Sequence, residues 1–89
     1  MFGNKNNREV KVGRVYHHFK GNYYKVIALA KHTETNENLV IYTALSDGRK
    51  TYARPYGMFM SKVDKEKYPE IEQEYRFEEV KQPYREENK

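Results

Sequence analysis

From Tyr16 to Glu34 the chain runs through two aromatic-rich stretches separated by Lys20-Gly21-Asn22 and then enters a polar, histidine-containing loop. Glycine flanked by polar residues suits a tight turn, so this stretch predicts a hairpin: Val12–Phe19 turns back into one long strand, Tyr23–Lys31. The even positions of that strand, Tyr24, Val26, Ala28 and Ala30, form an apolar face. The odd positions mix Tyr23, Ile27 and Leu29 with Lys25 and Lys31, which predicts a second, half-buried face. A strand apolar on both sides has to be covered by further strands, which the rest of the chain must supply.

After the loop His32–Asn38, the run Leu39–Leu45 reads as a strand. Ser46-Asp47-Gly48 supplies the positive-φ residues of a hairpin turn, and Lys50–Arg54 reads as the returning strand. Pro55 ends it, because proline cannot donate a ladder hydrogen bond. Tyr56-Gly57 forms a corner, Met58–Val63 predicts a further strand, and Asp64–Glu74 is a charged connection around Pro69 with room for one helical turn at Glu70–Glu74. Tyr75–Val80 predicts a last strand that closes the edge. No long segment repeats apolar residues at helical spacing. The fold class is therefore all-β, a small barrel or roll of about five to six antiparallel strands. The expected organisation is a flexible arm over 1–11, one β domain over 12–80 and a polar tail over 81–89.

Nine Tyr and four Phe among 89 residues, with no Trp, fit a small core closed by rings whose polar tips reach water. The absence of cysteine excludes disulfides and thiolate metal sites. No apolar run suggests a signal peptide or a membrane span, so the expectation is a soluble cytoplasmic protein with no membrane contact. The net charge of +4 is unevenly spread. Residues 1–14 set four cations against Glu9, residues 15–62 set seven against three acids, and residues 63–89 set six against nine. A basic body with an acidic extension suits an anionic partner for the body, although seven cations over that span are also common on any solvated surface.

Several polar residues invite a chemical reading. Adjacent on a strand, His17 and His18 face opposite sides and cannot share a metal. His32 and Glu34 can share a face at a strand end, where a carboxylate sets the imidazole tautomer. Arg54, just before Pro55, carries a fork suited to a carboxylate or phosphate, or else an internal ion pair to Glu34 or Glu37. Tyr16, Tyr24, Tyr42 and Tyr52 read either as a stacking surface for bases or as barrel core and rim. Ser46 and Ser61 lack a nucleophile motif, and the five scattered glycines make no phosphate loop. His18, His32 and Glu34 are the acid–base groups present, but they specify no reaction. No catalytic residue, metal site or cofactor is assigned.

Taken together, Tyr16-x-His18-Phe19-Lys20-Gly21, Tyr24, Ala30-x-His32-Thr33-Glu34-Thr35, Val40-x-Tyr42-x-Ala44-Leu45 and Arg54-Pro55-x-x-Met58-Phe59 resemble the bacterial family catalogued as domain of unknown function 1653. The resemblance runs from about Gly13 to Val63. It implies a small SH3-like β-barrel and supplies no activity. The family's motif residues fall on Tyr16, His18, Lys20, Gly21, Tyr24, His32, Glu34, Tyr42, Arg54, Pro55, Met58 and Phe59. Here His17 stands where an Arg is usual and Tyr52 where a Trp is common, and the acidic segment after Val63 is longer. Gly21, Pro55, Met58 and Phe59 have turn or packing roles; packing does not require the polar members. The resulting expectation is a non-enzymatic binding module for a small polar or anionic ligand, such as a nucleotide or nucleic-acid segment. Its candidate ligand-binding residues are His18, Lys20, Tyr24, His32, Glu34, Tyr42 and Arg54. The alternative is an adaptor that docks a protein partner's peptide or its own dimer mate.

Overall fold

The computed structural model describes residues 8–46 and 48–81. The expected polar tail beyond Lys81, the first seven residues of the arm and Asp47 of the second hairpin turn lie outside them. Five strands, β1 Val15–His18, β2 Tyr23–Lys31, β3 Asn38–Ala44, β4 Thr51–Pro55 and β5 Phe77–Glu79, form one antiparallel sheet in the order β4-β3-β2-β1-β5. Among the described residues the one helix, α1, is the single turn Tyr56–Phe59. Among the described residues no helix is long and apolar enough to cross a membrane.

The first hairpin forms as its sequence predicts. Gly21 sits at φ +117°, its amide donates to His18 O, and His18 N donates to Asn22 O. The β2–β3 loop is closed by Asn36 at φ +66° and by reciprocal bonds between His32 and the 36–37 backbone. Asparagine tolerates this left-handed conformation better than most residues.

The sheet is open: β4 and β5 are its edges and no ladder joins them, so a single curled sheet takes the place of the expected closed barrel. The curl is strong enough for side chains from the two edges to meet. Arg54 of β4 lies 5.7 Å from the ring of Phe77 on β5. The core fills the concave side. Tyr16, Val26, Val40, Tyr42, Phe59 and Phe77 are buried there, with Phe59 and Phe77 stacked at 4.0 Å between ring centroids. Val10 joins them, and the amides of Val10 and Lys11 donate to the hydroxyls of Tyr56 and Tyr16. Residues 8–11, read from sequence as arm, thus pack on the body.

The long strand departs from its expected faces. A register shift between Val26 and Ala28 puts Val26 opposite Tyr42 but Ala28 opposite Ile41. Cross-strand partners share a face, so the bulge turns Ala28 and Ala30 to the convex side. Ile27 and Leu29 are each 47% exposed.

The strand expected over Met58–Val63 is also absent. Pro55 caps α1, Met60 N donates back to Tyr56 O, and Ser61 Oγ donates to Met58 O. A helical turn buries one ring, Phe59, and turns Met58 to solvent. Lys62 keeps only an isolated bridge to Tyr75. The charged connection turns at Asp64 rather than at Glu70–Glu74: Lys67 N and Tyr68 N both donate to Asp64 O. The last strand does form, shorter than expected, and pairs with β1 instead of closing a barrel.

Candidate functional site

The concave side opens into a cleft of about 480 Å³ between the β4 edge and the 63–68 turn. His18, Tyr24 and Phe77 line its base, and Tyr42, Tyr52 and Arg54 form the β3–β4 wall. Phe19, Lys20, Lys67 and Tyr68 form the opposite wall, with Arg76 nearby. Five of the seven residues singled out from sequence thus converge here: His18, Lys20, Tyr24, Tyr42 and Arg54. His32 and Glu34 do not line this cleft; they sit in the β2–β3 loop.

His32 has a structural task in that loop. Its Nδ1 accepts the amides of Glu34 at 3.0 Å and Thr35 at 3.2 Å, while Thr35 Oγ1 donates to Glu37. Glu34 is exposed. The imidazole thus closes a turn, and the trio His18, His32 and Glu34 is not assembled into an acid–base site.

His18 is held from several sides. Its ring stacks on Phe19 at 4.7 Å and meets Phe77 edge-on at 4.8 Å, and its Nδ1 accepts the amide of Lys20 at 3.1 Å. With Nδ1 as acceptor, the proton of the neutral ring resides on Nε2. Burial, followed by the positive charges of Arg54, Arg76 and Lys20 and a smaller effect of His17, pushes its pKa down to about 4. The imidazole is therefore neutral at pH 7.

The two guanidinium groups are anchored in the same way. Arg54 Nε donates to the Tyr42 hydroxyl at 3.0 Å, and Arg76 Nε donates to Ser61 Oγ at 3.1 Å. Among the described residues the ion pairs are Arg14 with Glu79 and Lys62 with Glu74, both away from the cleft. The internal pairing of Arg54 with Glu34 or Glu37 does not form. Among the described residues the one carboxylate lining the cleft, Asp64, accepts the amides of Glu66 and Lys67, which it caps.

Lys67 and Tyr68 escape a sequence reading because they lie in the charged connection Asp64–Glu74, and Arg76 because it sits among acids in the expected last strand. Their route to the cleft is long-range. Gln73 ties the segment to β1, its Nε2 donating to His17 O and Tyr75 O and its Oε1 accepting from His17 Nδ1. Lys65 Nζ gathers the carbonyls of Ile71 and Gln73. The isolated cue was Tyr68, a large ring amid charges that ends edge-on to Phe19 at 5.0 Å.

A family model described as a protein of unknown function (DUF1653) matches residues 14–79, which include every strand of the sheet and the whole cleft. No curated protein and no solved structure matches the chain.

Proposed function

The chain belongs to the DUF1653 family, whose description assigns no function, and we propose that it is a non-enzymatic binding module whose concave cleft takes an anionic ligand. The observation that carries this reading is the charge of the cleft. Among the described residues Lys20, Arg54, Lys67 and Arg76 line it against Asp64 alone, and no carboxylate pairs with these four cations. Cations gathered on a low-dielectric wall raise the local potential and favour an anion entering between them. Fixing each guanidinium through Nε leaves the Nη edge of the fork for oxyanion oxygens. The lowered pKa of His18 has the same field among its causes. A volume of about 480 Å³ falls in the small-ligand range of roughly 300–1,000 Å³.

Titration calorimetry with pyrophosphate at low and raised salt tests the reading. Binding that weakens steeply with salt, and drops about tenfold in Arg54→Gln while its melting curve stays cooperative, is the expected result. No heat at low salt, or equal affinity in Arg54→Gln, overturns it. An adaptor docking a peptide on the tyrosines would give no pyrophosphate heat and would bind its partner with little dependence on salt.

A further inference from the structure

We propose that the anion taken by this cleft is a phosphate joined to a planar aromatic base, with the base stacking on Tyr52 beside the Arg54 fork. The inference rests on the anion-binding reading and names the class of ligand. Its starting point is an inequality between paired residues. Tyr42 and Tyr52 are register partners on β3 and β4 and share the concave face, with ring centroids 5.7 Å apart and planes tilted by 33°. Yet Tyr42 is 3% exposed and Tyr52 is 43% exposed. A large ring on the core side of a sheet is normally covered. Here the sheet's own residues cover only part of Tyr52, and the remainder faces the cleft.

The wider setting matches. Tyr24 meets Tyr42 edge-on at 5.3 Å and Tyr52 at 6.3 Å, which locks the ring platform from below. Across the cleft the half-buried ring of Tyr68 carries Lys20 and Lys67 over it, at 5.6 and 5.7 Å. Aromatic platform and cations are therefore interleaved. An inorganic anion or a sugar phosphate uses the cations and leaves the rings without a partner. An apolar planar ligand uses the rings and leaves the cations without one. A nucleotide unit uses both, because every base has a π-face and each carries a phosphate within one sugar of it. A free nucleotide and a single-stranded nucleic acid share this chemistry.

The test measures affinity of the whole chain for AMP, ribose 5-phosphate and a short oligoadenylate at low salt, with wild type and Tyr52→Ala. Tyr52 is exposed enough for its removal to spare the fold, which a melting curve checks. AMP should bind about tenfold or more tighter than ribose 5-phosphate, and Tyr52→Ala should lose that advantage while binding ribose 5-phosphate as before. An oligoadenylate that binds far tighter than AMP, with a steeper salt dependence, identifies the source as a single strand; equal affinities identify a free nucleotide. Equal binding of AMP and ribose 5-phosphate overturns the proposal and leaves the anion reading standing. Failure of all three probes to bind overturns both.

Discussion

His18 makes the stability of this fold depend on pH in a way that can be assigned to one residue. Its folded pKa is about 4 against an ordinary 6.5. The folded state therefore prefers the neutral ring. Above about pH 6.5 the ring is neutral in both states and costs nothing. As pH falls from about 6.5 to about 4 the unfolded chain takes up a proton that the folded chain refuses, so stability is lost through this window; below it the contribution is constant. At about 1.36 kcal/mol per pH unit the ceiling is about 3.4 kcal/mol. Solvent at the exposed edge of the ring screens part of it, leaving about 1–2 kcal/mol. Urea unfolding of wild type and His18→Gln at about pH 7.5 and about pH 4 isolates the effect, because the carboxylates titrate in both proteins. The variant should start less stable, having lost the ring contacts to Phe19 and Phe77, but fall about 1–2 kcal/mol less on acidification. Equal losses in the two proteins, or a His18 ring resonance titrating at or above about pH 6.5, refute the reasoning.

Three further outcomes follow from the same contacts. Adding sulfate, whose own charge is constant from about pH 4 to about pH 7, should raise the His18 pKa read by NMR, because an anion beside Arg54, Arg76 and Lys20 offsets the charges that depress it. Gln73→Leu removes the bonds to His17 and Tyr75 and should cost about 1–3 kcal/mol in urea unfolding, with faster amide exchange in β5 than in β3. Gly21→Ala meets no atom within 4 Å, yet sits at φ +117°, so it should cost about 1–3 kcal/mol through backbone strain alone, read as a lower melting temperature with an unchanged spectrum.

What the sequence made legible was mostly local. Gly21 and Asn22 announced the first hairpin, the continuous strand-like run Leu39–Leu45 announced β3, and Pro55 marked the end of β4. His18 and Arg54 were readable as polar residues at strand positions, and Tyr24 and Tyr42 as rings serving either core or rim; the structure puts Tyr42 in the core and Tyr24 against it. The bulge was not readable, because Ile27-Ala28-Leu29 is apolar throughout and gives no phase; beside it Gly13 N donates to Val26 O and Val26 N donates to Arg14 O. Met58-Phe59 looked like strand because both residues are apolar, whereas a single buried ring needs only one helical turn. His32 suggested chemistry by its type, and its ring closes a loop instead. Arg76 and Lys67 were hidden by the acids around them, since composition does not say which side of an extension folds onto the sheet.

Amide-resolved NMR during a pyrophosphate titration at low salt tests the central claim most directly. If the cleft takes an anion, shifts concentrate at His18, Lys20, Arg54, Lys67 and Arg76, saturate, and fade as salt is raised, while the β2–β3 loop at His32 and Glu34 stays still. Shifts scattered over the exposed lysines without saturation, or centred on the His32 loop, contradict the account.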